Sequence, residues 1–359
     1  MAIVLLLGGR WAMPGENGDW PCFRGGPEMR GVAAALPANL KMLWTCEAGS
    51  GVESTAAIVG DSVYVGTMKG ELLALRLDDG KVKWRVDLGS PVAASPCVVG
   101  DAIYVGDEGG TFHALGTDAK KRWQFKAGSK IISSATPAPG MVLFGSYDNK
   151  LYCLDSKTGA AKWTFEADAQ VHCSPCVAGG LVMIAGCDGK VRMIELETGK
   201  EKAAAGVQSN FSASPAFSEG KVYVGSLTGD CLSVTCADAK VNWQVRDEAD
   251  GASCYAGAAV SGDSAVFASR SNRVFCLSAA TGKQVWEFNA RAKVDSSPVI
   301  AGDVVYIGTS DGTVCGLKLA DGSKVWEFAA GGTVTASPAV ARGRMVIGTS
   351  DGAIYCFGK

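Results

Sequence analysis

Tryptophan recurs along this chain of 359 residues at a spacing of about forty residues. The positions are Trp44, Trp84, Trp123, Trp163, Trp243, Trp286 and Trp326. One interval is twice as long as the others, and it contains Ala203, Ala204 and Ala205 where an eighth tryptophan is due. A period of this length is typical of repeat architectures. We therefore predict eight units, one of which has lost its tryptophan.

Each unit contains short apolar runs separated by tight-turn signals. In the second unit, residues 92–99 and 102–106 are joined by Gly100 and Asp101, a dipeptide typical of a hairpin. A third run, such as residues 150–154 in the next unit, precedes a further turn and the strand with the tryptophan. Four short strands per unit, with no helical period, predict an all-β fold: an eight-bladed β-propeller of four-stranded antiparallel blades.

The N-terminal part of the chain is expected to close the ring. The inner-strand signal appears eight times, at Ala56, Pro96, Ala135, Pro175, Pro215, Ala258, Pro298 and Pro338. The last unit ends without an outer strand, whereas residues 40–44 carry an outer-strand signal ahead of the first inner strand. We therefore predict a propeller over residues 40–359, closed by an N-terminal outer strand that removes an exposed sheet edge. Residues 1–39 are predicted to be a lead-in, and removal of residues 1–38 is expected to be harmless.

Charge and hydropathy argue against two classes of partner. The net charge is −2 and the pI about 5.8, without a Lys/Arg run interleaved with aromatic residues, so no nucleic acid partner is expected. No segment approaches the roughly 18 apolar residues that span a bilayer, so no transmembrane segment is expected. The apolar residues 2–7 are interpreted either as the remnant of an export signal or as the start of a cytoplasmic chain.

The thirteen cysteines do not form the pattern of a disulfide framework, because their number is odd and no spacing recurs as a pair. One cluster, His172, Cys173 and Cys176, has the ligand types of a metal or redox site. Residues three apart on a strand face opposite sides, so the two sulfurs are not expected to reach one ion. We interpret these cysteines as small packing residues. A metal or redox role for this cluster remains the alternative, and no metal site and no catalytic residue is predicted.

Candidate binding residues appear when equivalent positions are compared. Three residues before the inner-strand proline position, the side chain varies, while the preceding residue is nearly always apolar. The variable residues are Glu53, Ala93, Ile132, His172, Ser212, Tyr255, Asp295 and Thr335. Eightfold geometry brings them together at the mouth of a central channel. Glu53, His172, Tyr255 and Asp295 are therefore predicted to bind a polar ligand or a cation, and a funnel filled with water is the alternative.

The sixth unit departs most from the consensus of the repeats. Residues 246–251 lengthen the loop that leads into Tyr255, and residues 270–273 replace the usual Asp-Gly turn. Loops on a rigid scaffold often carry binding specificity. We expect these two segments to lie at opposite ends of adjoining strands, so they need not form one site.

The repeats resemble the pyrroloquinoline-quinone (PQQ) type of propeller repeat. The resemblance is carried by the Ser-Pro inner strands, by residues 304–312 and by residues 280–286 (Ala-Thr-Gly-Lys-Gln-Val-Trp). Residues 19–25 (Asp-Trp-Pro-Cys-Phe-Arg-Gly) are similar to a lead-in found in exported bacterial proteins of this type. The resemblance covers most of the chain and implies export to the periplasm, with a cytoplasmic location as the alternative.

Proteins with this repeat include scaffolds and enzymes, and the fold does not choose between them. The propeller lipoprotein of outer-membrane β-barrel assembly is a scaffold, whereas the quinoprotein dehydrogenases carry an adjacent Cys-Cys pair, calcium ligands and long capping insertions. No two cysteines of this chain are adjacent, and units of this length leave no room for a cap. We predict a non-catalytic binding or scaffolding propeller, monomeric, with a protein partner and without PQQ or another cofactor. The alternatives are a PQQ- or metal-dependent oxidoreductase and a binder of small polar ligands at the channel mouth.

Overall fold

The computed structural model describes residues 18–359, which form a ring of eight antiparallel sheets. We number these blades in chain order and give their strands from the axis outwards. Blade 1 contains Ala57–Val59, Ser62–Gly66, Glu71–Arg76 and Val82–Asp87; blade 2 Cys97–Val99, Ala102–Gly106, Thr111–Gly116 and Lys121–Lys126; blade 3 Thr136–Ala138, Met141–Gly145, Lys150–Asp155 and Ala161–Glu166; blade 4 Cys176–Ala178, Leu181–Ala185, Lys190–Glu195 and Glu201–Gly206. Blade 5 contains Ala216–Ser218, Lys221–Gly225, Asp230–Thr235 and Val241–Arg246; blade 6 Ala259–Ser261, Ser264–Ser269, Arg273–Ser278 and Gln284–Asn289; blade 7 Val299–Ala301, Val304–Gly308, Thr313–Lys318 and Lys324–Ala329; blade 8 Ala339–Ala341, Arg344–Gly348, Ala353–Gly358 and Lys41–Glu47. The predicted fold class is confirmed.

The sequence of each strand follows from its place in the blade. The second strand lies between neighbouring blades, so both of its faces are covered; all five residues of Ser62–Gly66 are buried. A strand covered on both faces has a continuous apolar run instead of alternation. The outer strand alternates, as in Lys121–Lys126, where every second residue is fully exposed. The hydrophobic core therefore lies between the blades, around the whole ring.

The closing strand of the ring is Lys41–Glu47, which pairs in antiparallel fashion with Ala353–Gly358. Trp44 is the register partner of Cys356, as expected if the first and last parts of the chain share blade 8. This pairing confirms the predicted closure by an N-terminal outer strand. It also covers the edge that the last blade would otherwise expose.

A tryptophan on the outer strand joins seven of the eight blades to the next one. In blade 6, Trp286 Nε1 donates to the carbonyl oxygen of Leu319 at 2.7 Å, and the indole lies over Gly322, where a Cβ would stand 2.6 Å from the ring. The same bond runs from Trp44 to Leu77, Trp84 to Thr117, Trp123 to Ser156, Trp163 to Leu196, Trp243 to Ala279 and Trp326 to Leu40. Three of these side chains are buried (Trp44, Trp243 and Trp286), and the other four are partly exposed.

The junction between blades 4 and 5 lacks both members of this contact. Ala203 pairs with Met193 at the place where other blades have the tryptophan. Ala239, with φ +56, stands where blade 7 has Gly322. A methyl group fits at residue 239 because no indole lies over it. The absence of an indole at residue 203 therefore explains why alanine replaces glycine at residue 239.

We expect Trp286→Ala to lower the free energy of unfolding by about 3–5 kcal/mol, because a buried indole and its hydrogen bond are both lost. Chemical denaturation of the purified protein measures this change. Val285→Ala is the matched control, because the neighbouring Val285 is 56% exposed and its truncation should be nearly neutral. Equal effects of the two substitutions would contradict the role assigned to the indole.

The segment before the closing strand is part of the propeller. Its backbone pairs with the innermost strands of seven blades, through Trp20 with Ile58, Pro21 with Val98, Pro27 with Val177, Glu28 with Phe217, Arg30 with Val260, Gly31 with Ile300 and Gly18 with Arg342. The short strand Val32–Ala33 also pairs in parallel with Val299–Ala301, and a 3-10 turn spans Phe23–Gly25. The segment therefore covers one end of the central channel, which we call the plugged end; the other is the open end.

This segment contributes to the core. Trp20 is 2% exposed, and Cys22 and Met29 are buried as completely. The expectation that residues 1–38 can be removed without harm does not hold, because these side chains pack on the inner strands. Residues 1–17, which include the predicted signal remnant, lie outside the described part. Within residues 18–359, no helix is long and apolar enough to cross a membrane.

Candidate functional site

The central channel contains a polar cavity of about 160 Å³ that opens at the open end. It is lined by Phe23, Glu53, Thr55, Ala93, Ser95, Ile132, Ser134, His172, Ser174, Ser212, Ser214, Tyr255, Asp295, Ser297, Thr335 and Ser337. Phe23 belongs to the N-terminal segment, so the cavity has a floor. Glu53, His172, Tyr255 and Asp295 all line this cavity, together with the four other variable positions. The repeat alignment therefore located the wall of the cavity, although not its floor.

A ring of hydroxyl groups surrounds the axis below the variable residues. The hydroxyl ring consists of Thr55, Ser95, Ser134, Ser174, Ser214, Ser297 and Ser337. At this level the backbone N–H of seven of the eight blades donates to the hydroxyl of the following blade at 2.9–3.1 Å. Each hydroxyl oxygen thus accepts a bond from the protein, and its own proton remains available to a ligand or to water. The serine of the Ser-Pro signal is the residue of the sequence that indicates this ring, because it recurs at the same place in most repeats.

His172 lies in a half-buried cluster on one side of the mouth. Its Nδ1 is 2.6 Å from the hydroxyl oxygen of Tyr147, and the ammonium group of Lys130 lies 4.4 Å from the centre of the Tyr147 ring. Burial, and then the charge of Lys130, lower the pKa of His172 to about 4. The imidazole is therefore neutral at pH 7. A neutral imidazole can accept or donate one hydrogen bond at the ring nitrogen that does not face Tyr147.

We expect the free energy of unfolding to fall as the pH drops from about 6.5 to about 4, because the unfolded chain takes up a proton on His172 in this range and the folded protein does not. Urea unfolding at pH 7 and at pH 4.5 measures the loss. In His172→Ser, which places the residue of blade 5 in blade 4, the loss over this range should be smaller. An identical pH dependence in both proteins would show that His172 titrates normally.

Tyr255 and Asp295 hold an arginine on the other side of the mouth. Arg270 donates to the two carboxylate oxygens of Asp295 at 2.7 and 3.0 Å, and its guanidinium lies 3.7 Å from the centre of the Tyr255 ring. Together with His172, which is bonded to Tyr147, three of the four predicted residues therefore already have a partner within the protein. What this side offers to a ligand is the remaining donors of Arg270.

Glu53 and Glu108 give the mouth an acidic side. Burial, and then the charge of Glu108, raise the pKa of Glu53, and neither carboxylate forms an ion pair within residues 18–359. Glu108 belongs to blade 2, which stands half a turn of the eight-bladed ring from blade 6 and Arg270. The mouth thus has an acidic side opposite a side whose arginines are paired with carboxylates.

The two unusual segments of the sixth unit meet at the open end. Asp247 accepts hydrogen bonds from the hydroxyl of Ser271 at 2.6 Å and from Arg273 Nη1 at 2.5 Å. The expectation that residues 246–251 and 270–273 lie at opposite ends is wrong. Strands alternate in direction, so the connection between blades and the turn between the second and third strands lie at the same end. These loops are therefore joined by an ion pair.

Cys173 and Cys176 are both buried and have separate partners. Cys173 Sγ accepts a bond from the N–H of Ala185, whereas Cys176 Sγ donates to the carbonyl oxygen of Glu28, each at 3.3 Å. Burial raises the pKa of Cys173 to about 12, so its thiol is protonated at neutral pH and is a poor nucleophile. Among residues 18–359, no group of three or more His, Cys, Asp or Glu side chains is placed to hold a metal ion.

Comparison with known proteins identifies the family. The family model described as "Outer membrane protein assembly factor BamB" matches residues 29–145, 130–246 and 246–357. The chain belongs to this family. The sequence resemblance to PQQ-type propellers is thereby confirmed. No curated protein sequence matches the chain.

Solved structures show the same fold in BamB and in dehydrogenases. BamB from Moraxella catarrhalis is 18% identical, with a TM-score of 0.78 over 89% of this chain and 98% of that one. Quinohemoprotein alcohol dehydrogenase from Comamonas testosteroni is 14% identical, with a TM-score of 0.85 over 97% of this chain and 82% of that one. A europium-containing methanol dehydrogenase is 12% identical, with a TM-score of 0.77 over 96% of this chain and 98% of that one. Identities this low show the fold alone.

The residues of the channel do not fit the quinone of PQQ-dependent relatives. The cavity of about 160 Å³ is smaller than the roughly 300–1,000 Å³ of typical cofactor pockets. Phe23 closes it from below, and the acidic side chains Glu53 and Asp295 lie on different blades, the latter paired with Arg270.

Proposed function

We propose that this chain is an exported, non-catalytic scaffold of the BamB family that binds a protein partner with the open end of its propeller. The proposal rests chiefly on the surface that the loops of blades 5 and 6 form at the open end. Residues 246–251 and 270–273 differ there from the consensus of the repeats, and ion pairs hold both loops in place. Rigidly held, non-repeating loops are the usual place of specificity on a repeat scaffold.

Three ion pairs fix this surface. Arg246 contacts Asp230 at 2.9 Å, Arg273 contacts Asp247 at 2.5 Å and Arg270 contacts Asp295 at 2.7 Å. In each pair the carboxylate is more buried than the arginine, so the guanidinium groups face outwards. Arginine is enriched in protein interfaces. A surface with ordered arginines therefore favours a protein partner with acidic or aromatic side chains.

Export is supported by the family description and by the lead-in at residues 19–25. The cytoplasmic alternative is tested by cell fractionation of the native host. Recovery of the protein with the envelope fraction is expected. Recovery with the cytoplasm would exclude a role in outer-membrane assembly.

Site-specific photo-crosslinking in the native host tests the binding surface. A photoreactive amino acid at Asp250, which is exposed at the open end, should give a discrete adduct with one protein. The matched position is Lys157, exposed in a turn at the plugged end, which should give none. Arg270→Ala should reduce the adduct at position 250. The same adducts at both positions, or none at position 250, would contradict the proposal.

The enzymatic alternative has a separate test. The purified protein, incubated with PQQ and calcium, should show no dye-linked oxidation of alcohols or aldose sugars. Stoichiometric quinone binding with turnover would overturn the scaffold proposal.

A further inference from the structure

The hydroxyl ring has one gap, at the entrance to blade 6. Gly257 stands there, where the other seven blades carry serine or threonine. The ring residue ahead of the gap is Ser214, whose hydroxyl accepts from Ser174 N–H at 2.9 Å. Its own N–H meets no hydroxyl in the next blade and has no acceptor within residues 18–359. The gap therefore borders an unpaired backbone donor.

Arg24 of the N-terminal segment lies beside this gap. Its side chain is 2% exposed, and its Nη1 and Nη2 donate to the carbonyl oxygens of Pro298 and Ala258, both at 2.5 Å. Its Nε has no hydrogen-bond partner in the described part of the chain. Nε lies 3.6 Å from the point where a Cβ on Gly257 would stand. Two unpaired N–H groups, from Arg24 and Ser214, thus border the place of the missing hydroxyl.

The charge of Arg24 is not compensated by a carboxylate. Within residues 18–359, its hydrogen-bond partners are carbonyl oxygens alone. Burial lowers the pKa of Arg24 to about 9, because a cation without a counter-ion is costly to remove from water. An anion beside the guanidinium reduces this cost. Ser214 and Ser297, on either side of the gap, both line the open cavity, so an ion from solvent can reach it.

We propose that a small anion of the size of chloride binds at the Gly257 gap, between Arg24 Nε and the N–H of Ser214. It takes the place that a serine hydroxyl has in the other blades. A single anionic acceptor satisfies both donors and the guanidinium charge. Because Arg24 belongs to the N-terminal segment and Ser214 to the entrance of blade 5, the anion also ties the plug to blade 5, beside the bonds that Arg24 already makes to blades 6 and 7.

Melting of the full chain in chloride tests the site. At constant ionic strength, with gluconate as the replacement anion, we expect the melting temperature to rise by about 2 °C for each tenfold increase in chloride above the dissociation constant. Formate at the same concentrations reports whether a carboxylate oxygen is accepted as well.

Gly257→Ser is the decisive variant, because it supplies the missing hydroxyl and removes the gap. The nearest atom to the new Cβ is the carbonyl oxygen of Ser214 at 3.2 Å, a tight contact that requires a small shift. We expect its melting temperature to be independent of chloride. Ser337→Gly is the matched control, since it opens a second gap without a guanidinium; its chloride response should equal that of the unmodified protein. Equal responses of Gly257→Ser and the unmodified protein would overturn the proposal.

Bromide locates the ion directly. Crystals grown in bromide should show an anomalous peak about 3.3 Å from Arg24 Nε and Ser214 N, a normal distance for an N–H donor to a halide, which is longer than a bond to oxygen. The peak should be absent in Gly257→Ser. A water molecule alone at the gap, in the presence of bromide, would show that the site does not select an anion.

Discussion

A chain that begins at residue 34 is expected to melt about 10 °C or more below the full-length protein. Trp20 is 2% exposed, and its loss alone should cost about 3–5 kcal/mol. The truncation also removes the backbone pairing with the inner strands, for example of Trp20 with Ile58. For a domain of this size, with an unfolding entropy of about 2.1 cal/mol/K per residue, each kcal/mol corresponds to roughly 1–2 °C.

Thermal unfolding followed by circular dichroism measures this difference. The full-length variants Trp20→Ala and Met42→Ala form the matched pair. The first should reproduce a large part of the loss, and the second should be nearly neutral because Met42 is 51% exposed. A shortened chain that melts within about 2 °C of the full-length protein would show that the N-terminal segment contributes little to the stability of the propeller.

A chain that begins at residue 51 is expected to aggregate. Relative to the chain from residue 34, it lacks the outer strand Lys41–Glu47, so the edge of Ala353–Gly358 is bare. An exposed edge strand is a template for pairing with another molecule. Trp44 is lost as well, with its hydrogen bond to the carbonyl oxygen of Leu77 at 2.7 Å. The contact between blades 8 and 1 is therefore lost together with the outer strand of blade 8.

Light scattering and size-exclusion chromatography of the chains 34–359 and 51–359 test closure. This comparison isolates the closing strand, because both chains lack the plug. The longer one should elute as a weakened monomer and the shorter one as aggregates. A monomeric chain 51–359 with the melting temperature of chain 34–359 would contradict the role of this strand.

The candidate site was predictable in part: the repeat indicated which residues surround the cavity, but not which residues they contact. The positions of Glu53, His172, Tyr255 and Asp295 around one cavity followed from the repeat, because eightfold symmetry brings equivalent residues to the axis. Their partners did not follow. Arg270 bonds to Asp295 because the turn that carries it folds over the mouth, and a repeat alignment says nothing about contacts between non-equivalent positions.

The sequence by itself determined the eight blades, the strand that closes the ring and the residues that line the channel. These features are periodic, and a blade repeats the same local pattern of strands and turns. Only the tertiary structure decided what covers the plugged end and what stands beside Gly257. Arg24 contacts carbonyl oxygens 234 and 274 residues away along the chain. Such contacts have no period and no local signal, because they depend on the path of one non-repeating segment across the finished ring.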